Sequence, residues 1–117
     1  MTKKPTKANR NKMKCKRGVK LYGCNPEILA TMAIADQIWK DLGAEGAVVT
    51  SGSEQTARHS RSSIHYNGGA LDYRIKNLVE SHRKMAADRF RESLTDEYDV
   101  ILEADHMHVE FQPKRID

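Results

Sequence analysis

The sequence predicts an α+β fold, a mixed structure in which helices pack on one face of a small sheet. Two patterns carry this prediction. Apolar residues from Ile28 to Leu42 recur at the three- and four-residue spacing of an amphipathic helix. Residues 98–112 instead alternate between apolar and polar side chains, as a half-buried strand does. At 117 residues, the chain is expected to form one folded domain.

A basic flexible tail is predicted over residues 1–17, ahead of a folded domain over residues 18–117. Nine of the 20 basic residues lie in the first 20 positions, which hold no acid, so residues 21–117 carry 11 basic and 16 acidic residues. Such a block is typical of a solvated arm, and it can also bind nucleic acid or an anionic wall polymer. No aromatic residue interrupts the block to stack on bases.

The sequence has no features of a membrane-spanning or exported protein. No stretch of the sequence has transmembrane length, and no apolar signal core follows the basic start, so neither a membrane span nor a signal peptide is predicted.

Cys15 and Cys24 form no CxxC pair. Two free thiols are favoured, with one disulfide between them as the alternative. The oligomeric state is left open.

The first helix is predicted from its boundary residues as well as from its spacing. Asn25 is a good N-cap, and Pro26 suits the first helical position. Gly43 is a natural stop. Trp39 lies within the apolar stripe, which indicates a core anchor rather than a ligand-binding ring.

Two strands with a long connection are predicted next. Residues 47–50 form a short apolar run, and residues 69–75 form a second one. The intervening residues 51–67 are rich in Ser, Gly, Arg and His. A loop of this length in a compact domain is usually functional or disordered, and its continuation into His65 favours a function.

A second helix is predicted from Asn77 to about Ser93. Asn77 and Glu80 have the spacing of a capping box. Val79, Ala86 and Phe90 form one stripe along this helix. His82 lies among charged residues, and we interpret it as a surface or boundary residue.

Two more strands complete the predicted sheet. Residues 98–103 alternate, a break falls at residues 104–105, and residues 106–112 alternate again. One long bent strand is the alternative interpretation. In the last segment the two faces separate into an apolar set and a polar set: Met107, Val109 and Phe111 against His106, His108 and Glu110. The apolar set is expected to pack on a helix, which leaves the histidines on the open face of the sheet.

Three residues are candidate metal ligands: His65, Asp72 and His108. Two imidazoles and one carboxylate leave a fourth position for water, which is the pattern of a catalytic zinc site. Glycines 68 and 69 let the chain fold back between the first two ligands. The sequence therefore predicts Zn²⁺ on the open face of the sheet, with a water of lowered pKa.

Catalytic groups are predicted beside this site. Asp105, three residues before His108, is the first choice for the general base and then general acid to a leaving amine. Glu103 is the second choice. His106 shares the face of His108 and suits the stabilisation of an oxyanion. Glu110 is placed to orient a ligand histidine.

These motifs resemble those of the zinc D-Ala-D-Ala metallopeptidase family, which includes D-Ala-D-Ala carboxypeptidases, the L-alanyl-D-glutamate peptidases of phage endolysins and, more distantly, the hedgehog signalling domain. The pattern SxHxxGxAxD is met by residues 63–72, and the pattern DHxH by residues 105–108. The resemblance covers about residues 23–113. It implies a small antiparallel sheet packed against helices, with zinc bound by His65, Asp72 and His108. It also implies that Asp105 is the catalytic acid/base and that His106 assists the transition state.

The resemblance also implies a substrate, a peptidoglycan stem peptide. Many members carry an arginine after the Ser-Gly run to hold a substrate carboxylate, whereas here Ser53 and Glu54 follow Ser51-Gly52. Arg58 and Arg61 are the predicted substitutes, and Ser63 is a further substrate-binding candidate. The scissile bond stays open between carboxypeptidase and endopeptidase action.

The expected setting is that of a compact phage-encoded lytic enzyme, which stays in the cytoplasm until its release and then acts on the cell wall. Two alternatives remain beside a zinc peptidase. One is a zinc-binding wall module without turnover, and the other is a nucleic-acid-binding protein that acts through the basic tail.

Overall fold

The computed structural model describes residues 14–54, 64–65 and 67–113. It contains three helices and one five-stranded sheet. In chain order the elements are β1 (Lys14–Cys15), α1 (Pro26–Leu29), α2 (Thr31–Asp41), β2 (Val48–Ser51), β3 (Ala70–Arg74), α3 (Glu80–Ser93), β4 (Tyr98–Leu102) and β5 (His106–Phe111). The predicted α+β class is confirmed.

The sheet is antiparallel except at one edge. Its strand order is β1-β2-β3-β5-β4, and only β1 and β2 run parallel. Because Lys14 and Cys15 pair with Val48 and Val49, the sheet begins before the predicted end of the tail at Arg17. Both cysteines are free thiols. The first part of the predicted tail, residues 1–13, lies outside the described residues.

The first predicted helix is divided in two. Pro26 opens α1 as expected, but α1 ends at Leu29 and α2 begins at Thr31, with Ala30 between them in a helical conformation. Asn25 forms no side-chain cap hydrogen bond. The buried apolar side chains of both helices lie on the predicted stripe, and Thr31 is a further buried residue outside it. The division changes the hydrogen bonding between the two helices, but the buried face stays the same.

An aromatic cluster joins α2 and α3 to the sheet. The ring centroids of Trp39, Tyr73 and Phe90 lie 5.7–6.2 Å apart, and all three side chains are fully buried. Thr31 and Tyr73 share a buried hydrogen bond of 2.7 Å between their hydroxyl oxygens. The prediction that Trp39 anchors the core is confirmed. Since Tyr73 points into this core, its neighbours Asp72 and Arg74 are directed to the opposite face of β3.

The predicted capping box at Asn77 is wrong. Helix α3 begins at Glu80, its N-cap is Val79, and no side chain caps it. The Asn77 side chain instead accepts a hydrogen bond from the Trp39 indole and donates one to the Gly46 carbonyl oxygen. Tertiary partners therefore take the side chain that local spacing assigned to the helix. Val79 is exposed rather than part of the buried stripe.

The last two strands form a hairpin, not one bent strand. Strands β4 and β5 pair antiparallel, with Val100 opposite Val109. Met107 and Val109 are buried against the core, whereas His106, His108 and Glu110 are partly exposed on the other face. The predicted division of faces in β5 is confirmed. Pairing with β3 then places His108 directly opposite Asp72.

Within the described ranges, none of the helices combines the length and the apolar character that crossing a bilayer requires.

Candidate metal centre

His65, Asp72 and His108 converge on one point. Each offers one ligand atom, and these three atoms all lie within 4.8 Å of one another. Asp72 Oδ1 stands 3.2 Å from His65 Nε2 and 2.9 Å from His108 Nδ1. The three side chains that the sequence predicted as ligands are therefore together in the structure and form a group that could hold a metal ion.

The turn that presents His65 depends on a glycine. The Gly68 amide donates to the His65 carbonyl oxygen, and the Gly68 carbonyl accepts from the Asn25 amide. Gly68 has a φ of +76°, and a Cβ atom there would lie 2.0 Å from the Gly23 carbonyl oxygen. Only glycine satisfies both constraints. The predicted close return of the chain between the first two ligands is confirmed.

The outer nitrogen of His65 is fixed by a backbone carbonyl. His65 is 3% exposed, and its Nδ1 lies 3.0 Å from the Gly52 carbonyl oxygen. A carbonyl only accepts hydrogen bonds, so Nδ1 must carry the proton. The Nε2 atom is then the ring nitrogen that faces Asp72 and is available to a metal ion.

His108 is fixed in the same way, by a carboxylate. Its Nε2 lies 2.8 Å from Glu110 Oε1. A carboxylate only accepts hydrogen bonds, so Nε2 is the donor. This leaves Nδ1 for the metal on the Asp72 side. Glu110 thus occupies the orienting place that the sequence predicted. Both histidines have the outer hydrogen bond that accompanies metal-ligating imidazoles.

The charge of the site suits a cation. Burial alone would raise the pKa of Asp72, but hydrogen bonds with His108 and His65 and the nearby histidine charges hold that pKa well below its ordinary value. Burial would lower the pKa of His108, but its bonds with Asp72 and Glu110 raise that pKa. Asp72 is therefore a buried carboxylate anion that favours the protonated form of His108. A metal ion would compete with that proton for the His108 nitrogen.

The predicted catalytic residues lie beside the three ligands. His106 Nε2 is 3.7 Å from Asp72 Oδ2 and 3.6 Å from Glu103 Oε2. Its Nδ1 is 2.6 Å from Asp105 Oδ1. Asp105 is exposed, with a side chain 61% accessible. Each ring nitrogen of His106 thus faces a carboxylate, and both candidate bases reach the same histidine.

The three ligand residues and the predicted catalytic residues line one open cleft of about 1030 Å³. The tip of the β4–β5 hairpin contributes Glu103 and Asp105 to it. Basic side chains line the cleft as well: Lys16, Arg17, Arg74 and Lys76. With Glu54, the cleft combines the ligand group, three further acids and four cations, which suits a polar substrate that carries charge.

Sequence reasoning missed Arg74. It lies two residues after Asp72 on β3, and its backbone is paired with His106. It carries no hydrogen bond or ion pair of its guanidinium to any described residue. The alternation of the strand was the available signal, since it places residue 74 on the same face as the ligand at residue 72.

Three predicted substrate-binding residues, Arg58, Arg61 and Ser63, lie outside the described residues.

No family model and no curated protein matches this chain.

Proposed function

We propose that the protein is a zinc metallopeptidase that hydrolyses peptidoglycan stem peptides, as a D-Ala-D-Ala carboxypeptidase or an L-alanyl-D-glutamate endopeptidase does. One observation carries the proposal: two oriented imidazoles and a buried carboxylate converge in an open cleft beside an acid and a third histidine. The resemblance of residues 63–72 and 105–108 to that peptidase family supports the choice of substrate. The cell wall is accordingly the proposed place of action.

The donor set favours zinc over the hard divalent cations. Ca²⁺ and Mg²⁺ prefer six or more oxygen ligands, whereas this group offers two nitrogens and one carboxylate oxygen. Three protein ligands with one position left for water are typical of catalytic zinc, while structural zinc sites are closed by four ligands. The chemistry of the residues therefore fits a catalytic zinc ion.

Zinc held by these residues would supply Lewis acidity, which lowers the pKa of a water molecule toward about 7 and polarises a peptide carbonyl. Asp105 takes the proton from the attacking water and gives it to the leaving amine nitrogen. His106 holds Asp105 through Nδ1 and helps to stabilise the oxyanion that develops on the substrate. Glu110 and the Gly52 carbonyl keep His108 and His65 oriented throughout.

The raised pKa of His108 predicts that zinc binding depends on pH. An imidazole must lose its proton before it binds a metal, so the apparent affinity should fall about tenfold per pH unit for each proton displaced. The rise in melting temperature caused by zinc is expected to be larger at pH 7.5 than at pH 5.5. Thermal unfolding with and without zinc at both values measures this difference. Equal stabilisation at both values would contradict binding through these histidines.

Arg74, which lines the cleft on the same face of β3 as Asp72, is the residue that we propose to hold a substrate carboxylate. A guanidinium binds a carboxylate through two parallel hydrogen bonds, and one such charged contact is worth about 1.5–3 kcal/mol. We expect Arg74→Met to raise KM at least about tenfold for a peptide with a free carboxylate, with little change in kcat.

A double comparison tests this role. The same peptide with its carboxylate amidated should have a high KM with the wild type, and Arg74→Met should raise that KM no further. Arg89→Met, on the exposed surface of α3, is the matched control. If Arg74→Met raises KM as much for the amidated peptide as for the free acid, Arg74 supports the structure and does not bind the carboxylate.

Mass spectrometry of products from purified stem peptides tests the proposed function. Zinc-loaded and chelator-treated protein are compared side by side. Zinc-dependent release of D-alanine would establish a carboxypeptidase, and a cut between L-alanine and D-glutamate would establish an endopeptidase. A zinc-bound protein that yields no product would instead support the non-catalytic binding module, the second function that this metal group allows.

A further inference from the structure

The carboxylate of Glu54 organises the turn that follows β2. Its Oε1 accepts hydrogen bonds from the Gly52 amide at 2.8 Å and from the Lys20 amide at 3.0 Å. Its Oε2 accepts one from the Ser51 hydroxyl at 2.7 Å. One side chain thus joins three groups from two separate segments of the chain.

The same turn carries the carbonyl that orients a metal ligand. The Gly52 carbonyl oxygen accepts a hydrogen bond of 3.0 Å from His65 Nδ1. Gly52 is buried, and a Cβ atom there would lie 2.3 Å from the Lys20 carbonyl oxygen. The peptide at Gly52 is therefore held between the Lys20 segment and the His65 ring. Any rotation of this peptide would move the acceptor away from Nδ1.

We propose that Glu54 is a positioning residue of the metal centre, which acts through the Gly52 carbonyl on His65. By holding the Ser51–Gly52 turn, Glu54 fixes the ring direction and the tautomer that present Nε2 to the metal. This inference rests on the metal binding of the proposed function and assigns a role to a residue outside the three-ligand group.

The ionised state of Glu54 agrees with this role. Burial would raise its pKa, but the hydrogen bonds from the Lys20 amide, the Ser51 hydroxyl and the Gly52 amide hold that pKa below its usual value. A carboxylate is therefore present at neutral pH, and hydrogen bonds to a charged acceptor are stronger than neutral ones.

Three substitutions test the inference by chelator competition for zinc. Glu54→Ala is expected to weaken zinc binding about tenfold, the lower end of the range for groups that orient a ligand directly. Glu54→Asp keeps the charge but is one methylene too short to reach all three donors, so it should also weaken binding. Glu54→Gln keeps the length and the Oε1 acceptor, so its affinity should stay closest to the wild type. Glu92→Ala, an exposed acid on α3, is the control for loss of charge.

Proton NMR of the zinc-saturated protein provides a readout that a general loss of stability would not produce. In the wild type and in Glu54→Gln, the hydrogen bond to the Gly52 carbonyl should make the His65 Nδ1 proton exchange slowly with water. In Glu54→Ala and Glu54→Asp, this proton should exchange faster, while the exchange of core amide protons stays unchanged. If Glu54→Ala does not fold, the comparison of Glu54→Asp with Glu54→Gln carries the test.

Two results would overturn the inference. One is a set of folded variants that all bind zinc as the wild type does and keep the slow exchange of the His65 Nδ1 proton. The other is a loss of zinc affinity in Glu54→Gln that Glu54→Asp does not share, because that pattern would assign the effect to charge alone. Either result leaves zinc-dependent hydrolysis by the wild type intact, whereas a wild type that binds no zinc would overturn the proposed function itself.

Discussion

Asp105→Ala is expected to retain zinc and to lose turnover by about 100- to 10,000-fold, the range that a positioned general acid–base supplies. Asp105 is not among the three converging ligands, so its removal leaves the metal group complete. The hydrogen bond from His106 Nδ1 is lost with it, which also releases the histidine that would stabilise the oxyanion. Zinc content by atomic absorption and kcat on a stem peptide measure the two effects separately.

Glu103→Ala and Asp88→Ala complete this experiment. Glu103 shares His106 with Asp105 and is the alternative base, whereas Asp88 forms ion pairs on the surface of α3. The account predicts a severe loss in Asp105→Ala, a smaller loss in Glu103→Ala and none in Asp88→Ala. Normal turnover in Asp105→Ala together with a severe loss in Glu103→Ala would move the base to Glu103.

Asp72→Asn is expected to abolish zinc binding and activity together. The carboxylate is 7% exposed and lies between both ligand histidines. An amide of the same shape keeps the packing but removes the only negative charge among the three ligands. Groups that merely orient a ligand are worth about 10- to 100-fold in metal affinity, so the loss of a ligand charge should exceed about 100-fold.

The Asp72→Asn variant needs a control for folding as well as for charge. Asp88→Asn should bind zinc as the wild type does, and far-ultraviolet circular dichroism should show the same secondary structure in both variants. Zinc affinity in Asp72→Asn within threefold of the wild type would contradict the assignment of Asp72 as a ligand.

Much of the site could be predicted because its residues follow the period of a strand. Alternation along residues 106–112 assigned His106, His108 and Glu110 to one face, and the structure has them there. The spacing from His65 to Asp72, with Gly68 between them, required a tight return, and the structure has it. Local patterns of this kind depend on few residues, so they can be recognised in one sequence.

The pairing of strands could not be predicted, because it depends on distant parts of the chain. The position of His108 opposite Asp72 follows from the register of β3 against β5. The parallel pairing of Lys14–Cys15 with β2 joins residues more than 30 positions apart. A two-residue strand has no period of its own, so the basic composition of this region favoured a tail instead.

Side chains with tertiary partners account for the other differences. Asn77 has the spacing of a helix cap, yet its side chain forms hydrogen bonds with the Trp39 indole and the Gly46 carbonyl instead. Glu54 was noted only as a departure from the family pattern, and its role emerges from contacts with Lys20, Ser51 and Gly52. The predicted roles of Arg58, Arg61 and Ser63 fall outside the described residues and stay predictions.

The most direct test of the central claim is a zinc titration of the metal-free protein, in which bound zinc and the rate of stem-peptide hydrolysis are measured in the same samples. The account predicts that the rate rises in proportion to zinc and stops at one ion per chain, since the structure describes one group of three converging ligands. Hydrolysis that is already complete in the metal-free protein, or full zinc occupancy without hydrolysis, would contradict it.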